Sequence, residues 1–289
     1  MKKENNSKKV ESEQVKFPIG VKLAIIIGFI VLVSLGSVTF LNSHFVGQDV
    51  KITAENQNLS INTSNASIVE DKLSTVRSNV FQLLDLVSVV TGGRNSAFAK
   101  QAELFFFERN QDIASIYILS ENSNSTQNDS DIRIINNQFF ISNELDTNCL
   151  DSFISSINTE ITRSCVGEII AINASPYFGI PVISLLFPYK ESGRDQTCII
   201  TFSIESISEI LGTNSINTTF IINDSDDLLY HPDTSKILNG ENLKNNELIK
   251  AMRLNNQNND DSRQIPYDVI DEKGKSKSYY GAYEKLSFG

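Results

Sequence analysis

Residues 23–41 read LAIIIGFIVLVSLGSVTFL, nineteen positions without a charge. At 1.5 Å per residue, a helix of that length comes to about 30 Å, the thickness of a bilayer's hydrocarbon core. The flanks give the run a direction. Ahead of it lie six lysines (Lys2, Lys3, Lys8, Lys9, Lys16, Lys22) against three glutamates (Glu4, Glu11, Glu13), and behind it come Gln48, Asp49 and Glu55. An excess of lysine marks the cytoplasmic side, so residues 1–22 are expected in the cytoplasm and residues 42–289 outside it. The apolar run is longer than the core of a usual cleaved signal peptide, and no small-x-small cleavage site follows. An uncleaved anchor in contact with membrane lipid is therefore expected.

The formal charge of the whole chain is −10, and the basic tail contributes about +3 of opposite sign. An acidic remainder with no basic stripe repels phosphate backbones, which argues against nucleic acid as a partner. Cys149, Cys165 and Cys198 are too few to form a disulfide framework. Cys149 with Cys165 is one conceivable bridge, whereas Cys198 sits in the apolar run CIITF, where a thiol packs as a small hydrophobe. Plain packing of all three is the simpler account.

Just past the membrane run, Phe45, Ile52, Leu59, Ala66, Leu73, Val80 and Val87 recur every seven residues. A second row, Val69, Val76, Leu83 and Val90, joins three positions on. No proline interrupts the stretch, and Gly92-Gly93 stops it, so one helix over residues 45–90 is expected, about 70 Å long. Near the membrane the single apolar row reads as a thin dimer seam. Beyond residue 69 the wider stripe reads as packing against a globular body. The row Ile52, Leu59, Ala66, Leu73, Val80 and Val87 is the candidate signalling stalk of a homodimer.

Further along, short elements alternate. Residues 102–109 read as a helix end, 113–119 as a strand, 121–131 as a polar loop, and 132–135 and 138–141 as strands. Residues 149–162 have helical spacing, and three β-rich runs follow at 167–173, 180–187 and 196–202. These suggest about five antiparallel strands with helices on one side. A second unit starts with a helix at 204–211 and continues with strands at 218–222 and 228–230. A helix at 243–254 and a hairpin over 264–271 and 275–283 complete it. As written, this unit lacks its last strands, and the sequence reads as a piece of a longer protein.

The inventory for catalysis is thin. His44 lies at the membrane edge, and His231 stands before Pro232, where a turn hydrogen bond accounts for it better than acid–base chemistry does. No His/Cys/Asp spacing suits a metal. Asp224, Asp226 and Asp227 fail as a calcium loop, because Leu228 stands where the third oxygen ligand belongs and the glycine and distal glutamate are missing. Gly92-Gly93-Arg94 ends a helix and does not open one after a strand, so it is no phosphate cradle. No catalytic residue and no cofactor are expected.

Three stretches carry a resemblance: residues 105–117 (FFFERNQDIASIY), 172–189 (INASPYFGIPVISLLFPY) and 220–232 (FIINDSDDLLYHP). With the anchor and the long helix, they resemble the double Cache sensors of bacterial receptors, tandem PAS-like units outside the membrane. Residues 17–41 and 48–62 look like the sensor regions of membrane adenylate/guanylate cyclases.

The resemblance implies an α+β chain in five parts: tail 1–22, transmembrane helix 23–41, stalk 42–92, a membrane-distal PAS-like unit 93–203, and a membrane-proximal, incomplete unit 204–289. It implies the bacterial inner membrane, a second membrane helix and a cytoplasmic cyclase domain elsewhere in the protein. A chemotaxis receptor or histidine kinase is the alternative, and an anchored structural or adhesive protein is the rival from another class.

In a PAS-like unit, a small-molecule ligand lies between the curved sheet and the helices over it. The polar and aromatic side chains expected there are Tyr117, Arg133, Arg163, Asn173, Ser175, Tyr177 and Tyr189. An arginine would clamp a carboxylate while aromatics wall the apolar part. Amino-acid-binding members carry Arg-x-Trp-Tyr; here Arg163 is followed by Ser-Cys-Val and the chain has no tryptophan.

Overall fold

The computed structural model describes residues 18–89, 96–120, 132–191, 193–212, 217–255, 262–270 and 274–288. The basic tail to residue 17, the Gly92-Gly93 stop and the polar loop 121–131 lie outside the described residues. The chain is α+β, a long N-terminal apolar helix followed by antiparallel sheets. Residues 1–54 and 55–289 form two compact units.

Helix α1 runs Ile19–Val89, 71 residues without a break, so the membrane run and the stalk are one element. In the first unit its apolar side chains are exposed: Phe29, Leu32 and Phe40 are 69–73% exposed. So much uncovered apolar surface is what a lipid-facing helix requires and a water-facing one avoids. In the second unit the pattern inverts, and Val69, Leu73, Val76, Val80, Leu83, Leu84 and Val87 are all buried. The stalk row therefore splits. Ile52 is exposed, Leu59 and Ala66 are half-buried, and Leu73, Val80 and Val87 belong to this chain's own core.

That core is built on a five-stranded antiparallel sheet of β1 (Ile113–Ser120), β2 (Ile132–Ile135), β3 (Ile170–Asn173), β4 (Val182–Glu191) and β5 (Arg194–Ser203). Their order is β2-β1-β5-β4-β3. Alternation along each strand divides its side chains between two faces. Ile116, Ile118, Leu185, Phe187, Cys198, Ile200 and Phe202 pack toward α1 and α2 (Ala97–Arg109). Arg77 of α1 lies over the Phe187 ring, 5.0 Å from its centroid.

The other face, with Tyr117, Leu119, Leu186 and Ile199, meets α3 (Asn137–Ser142), α4 (Asn148–Ser156), α5 (Asn158–Cys165) and α6 (Ser175–Phe178). The helices thus lie on both sides of the sheet, because the stalk covers the face that the expectation left open.

Two local expectations are corrected. Residues 138–141 are helical, not a strand. Asn136 caps α3 by accepting from the Phe139 N–H at 3.2 Å while donating to the Ile113 carbonyl at 2.8 Å. Residues 149–162 are two helices, α4 and α5, because Ile157 leaves helical geometry (φ −109°, ψ 26°) between them. With that break, Leu150 and Phe153 of one helix and Ile161 and Cys165 of the next all reach the sheet.

The remaining elements are α7 (Glu205–Gly212), the ribbon β6 (Ile221–Ile222) with β7 (Leu228–Tyr230), α8 (Thr234–Leu238), α9 (Glu247–Asn255), and the hairpin β8 (Ser262–Ile270) with β9 (Ser276–Glu284). The two ribbons are separate sheets. The expected strand at 218–222 shortens to two residues, the helix at 243–254 begins at Glu247, and α8 was not anticipated. Ile207, Leu228 and Tyr230 share one core with Val80 and Ile116, so burial runs across the expected boundary at residue 203. Side-chain amides tie the β3 edge to this region: Asn173 Nδ2 donates to the Ile237 carbonyl at 2.8 Å, and Asn223 Nδ2 to that of Ala171 at 3.0 Å.

Candidate functional site

The seven residues expected around a ligand do not all meet. Tyr117 and Arg133 stand side by side on β1 and β2 as direct cross-strand partners. The guanidinium lies 5.6 Å from the Tyr117 ring centroid and pairs at 3.4 Å with Asp151 of α4. Tyr177 of α6, 42% exposed, meets α4 from the other side, its ring 5.6 Å from that of Phe153. Helix α4 is thus the element on which Tyr117, Arg133 and Tyr177 gather. Burial pushes the Tyr117 hydroxyl up to about 12, with Arg133 pulling against it, so it stays protonated and available as a donor.

The other four lie elsewhere. Ser175 Oγ donates to the Val182 carbonyl at 2.9 Å and accepts from the Val182 N–H at 3.0 Å, which closes the Gly179 turn. Asn173 Oδ1 accepts from the Ser175 N–H at 2.9 Å. Both are committed to holding α6 in place. Arg163 is exposed and donates through Nε to Glu168 at 2.7 Å. Tyr189 lies on the opposite sheet face, its ring 6.0 Å from Phe81 of α1.

The groups weighed for chemistry have structural partners. His231 Nδ1 accepts from the Asp233 N–H at 2.9 Å and its ring stacks on Phe220. Burial, reinforced by Lys236, holds its pKa below the usual value. Asp226 binds Arg253 at 2.6 Å, and Asp227 accepts from Asn242 at 2.7 Å. None of the three cysteines is in a disulfide, and full burial raises the Cys198 thiol to about 12. Among the described residues, no group of three His, Cys, Asp or Glu side chains is placed to hold a metal.

A feature that sequence reasoning missed is a cavity of about 1050 Å³ on the α1 side of the sheet. It is lined by residues of α1, the β3–β4 edge, α7, β6, α9 and β9. Its wall mixes apolar and aromatic side chains such as Ile183, Leu185 and Tyr230 with polar and charged ones such as Asn223, Asp224 and Arg253. Three of the lining residues carry a polar atom that is buried away from the cavity and has no hydrogen-bond partner among the described residues: Asn62 Nδ2, Asn65 Nδ2 and the Tyr283 hydroxyl. Asn65 is only 5% exposed. A buried donor left unmet costs about 1–3 kcal/mol. The sequence offered no signal for it, because NLSINTSNAS (58–67) reads as a solvated stretch.

No family model and no curated protein matches the sequence. Solved structures do match. The chain is similar to the ligand-binding domain of the Campylobacter jejuni chemoreceptor Tlp3 in complex with L-valine, at 12% identity and a TM-score of 0.46, over 81% of this chain and 90% of that one. It is similar to the Tlp3 sensory domain with isoleucine bound, at 12% identity and a TM-score of 0.47, over 81% and 89%. It is also similar to the extracellular domain of soHK1S-Z6, a protein described as a histidine kinase, at 13% identity and a TM-score of 0.47, over 80% and 89%.

Proposed function

We propose that this chain is the extracytoplasmic, ligand-sensing region of a membrane signal-transduction receptor. It sits at the bacterial inner membrane with its N-terminus cytoplasmic and acts as a homodimer through α1. The observation that carries the reading is α1 itself. One helix holds both an unburied, charge-free run of bilayer length and seven side chains locked in the core of the sheet. A shift of the sheet therefore has an element through which to reach the membrane. A ligand moves such an equilibrium only by the difference in its affinity for the two states.

The five-stranded antiparallel sheet, with α3–α6 over one face and α1 and α2 over the other, supports the PAS-like reading that the sequence resemblance implies. The ligand is a small carboxylate that takes the place of Asp151 on Arg133, with Tyr117 and Tyr177 as walls and α4 as the element that adjusts. The wording of the anchor and stalk supports an adenylate/guanylate cyclase as the output. The sensor architecture fits a chemotaxis receptor or a histidine kinase equally well.

A thermal-shift series of small carboxylates on the full chain in lipid nanodiscs tests the site. A binder at one hundred times its Kd adds about 2.7 kcal/mol of stability. Arg133→Gln should abolish that gain and leave the unliganded protein almost unchanged, since a surface pair such as Arg133 with Asp151 contributes at most about 1 kcal/mol. A gain that survives Arg133→Gln would remove Arg133 from the site, and no gain with any carboxylate would remove the ligand class.

A further inference from the structure

The outer half of the β8–β9 hairpin is bare. Near its base Ile265 is buried and Gly281 lies under Leu248, close to the start of α9. Further out that cover is gone: residues 268–270 and 276–280 are all exposed, whichever face of the ribbon they occupy. Val269, Ile270, Tyr279 and Tyr280 are among them, and Ile270 is 73% exposed. A two-stranded ribbon is marginal in water by itself, and uncovered apolar side chains on it call for a partner.

Two contacts give the ribbon a direction. Glu284, the end of β9, accepts from Thr63 Oγ1 at 3.0 Å. Three residues later the Ser287 N–H donates to both carboxylate oxygens of Glu70 at 3.3 Å. Seven residues of helix and three of extended chain each cover about 10 Å, so the chain leaves β9 alongside α1 and in the same sense. The start of β9, Ser276, with Ile270 opposite it, therefore lies toward the N-terminal end of α1. At 3.3 Å per residue it is about 26 Å from Glu284. From Thr63 back to Leu41, the last residue of the apolar run, the helix covers about 33 Å.

We propose that the outer half of the hairpin rests in the headgroup layer of the bilayer, with Val269 and Ile270 inserted and Tyr279 and Tyr280 at its edge. The inference rests on the reading that residues 23–41 span the membrane. The two lengths differ by about 7 Å, close to the depth of one headgroup layer. Tyrosine gathers at that level because its ring is apolar and its hydroxyl stays wet. Asp268, Asp271 and Glu272 balance Lys273, Lys275 and Lys277, so apolar insertion drives the contact and anionic lipid is not required. The hairpin is then a second foothold of the sheet unit beside α1.

The chain contains no tryptophan, so a single introduced one reports on one place. Ile270→Trp, Ile141→Trp and Phe40→Trp, all at exposed positions, are made in the full chain. Each is reconstituted in phosphatidylcholine liposomes with and without a nitroxide on the lipid headgroup. Quenching by the nitroxide should be strong for Phe40→Trp and Ile270→Trp and at least threefold weaker for Ile141→Trp on α3. A tryptophan favours the interface by itself, so Val269→Asp with Tyr280→Asp is added to Ile270→Trp and should cut its quenching at least threefold. Quenching of Phe40→Trp with Ile270→Trp spared would overturn the hairpin contact and leave the membrane reading standing, whereas an unquenched Phe40→Trp would remove both. Equal quenching of Ile270→Trp and Ile141→Trp, or quenching indifferent to Val269→Asp with Tyr280→Asp, would also overturn the contact.

Discussion

Ser175 uses both capacities of its hydroxyl on the two backbone groups of Val182 and has no exposed surface. Ser175→Ala leaves that N–H and carbonyl unmet inside the core. It should lower stability by about 1–3 kcal/mol in chemical denaturation followed through tyrosine circular dichroism. His231 gives a prediction in pH. Its folded pKa lies below the usual 6.5, mainly through burial. The unfolded chain thus takes up the proton more readily, and the neutral ring contributes stability that is present above pH 6.5 and lost as pH falls through and below it. Denaturation midpoints between pH 7.5 and 5.5 should fall more for the wild type than for His231→Gln. Equal slopes would show that the ring does not titrate differently on folding.

At the scale of elements, α1 divides by burial, and substitutions should divide with it. Leu84→Ala removes a side chain only 2% exposed and should cost about 2–5 kcal/mol. Ile52→Ala, at an exposed position, should change the stability of the sheet unit by less than about 0.5 kcal/mol. Disulfide cross-linking in membranes reads the same division. Ile52→Cys should yield dimers and Val80→Cys should not, because residue 80 faces its own sheet. Dimers at residue 80 in equal yield would contradict the packing of α1.

The long helix was legible in the sequence because both its signals are periodic and local. Helix α3 was not legible: QFF reads as β-rich, and what decides is a bond from Asn136 to Ile113, twenty-three residues earlier. The same limit applies to the candidate site. Tyr117 and Arg133 are direct cross-strand partners, whereas Tyr189 lies on the opposite sheet face, because the register of β4 is set by its pairing with β5 and not by its own sequence.

For the whole molecule, the account rests on which side of a membrane the sheet lies. The apolar run in α1 is long enough to span and is unburied in the chain, and the lysines ahead of it give the direction. In the proposed orientation residues 42–289 face outward, where a solute reaches Arg133 without crossing the bilayer. The most direct measurement labels intact bacterial cells with a membrane-impermeant maleimide, in a Cys149→Ser background that leaves only the two buried thiols. Ser142→Cys, at an exposed position on α3, should be labelled in intact cells, and Ser7→Cys in the basic tail only after lysis. Labelling of residue 7 but not residue 142 before lysis, or recovery of the protein in the soluble fraction, would contradict an extracytoplasmic sensor held by α1.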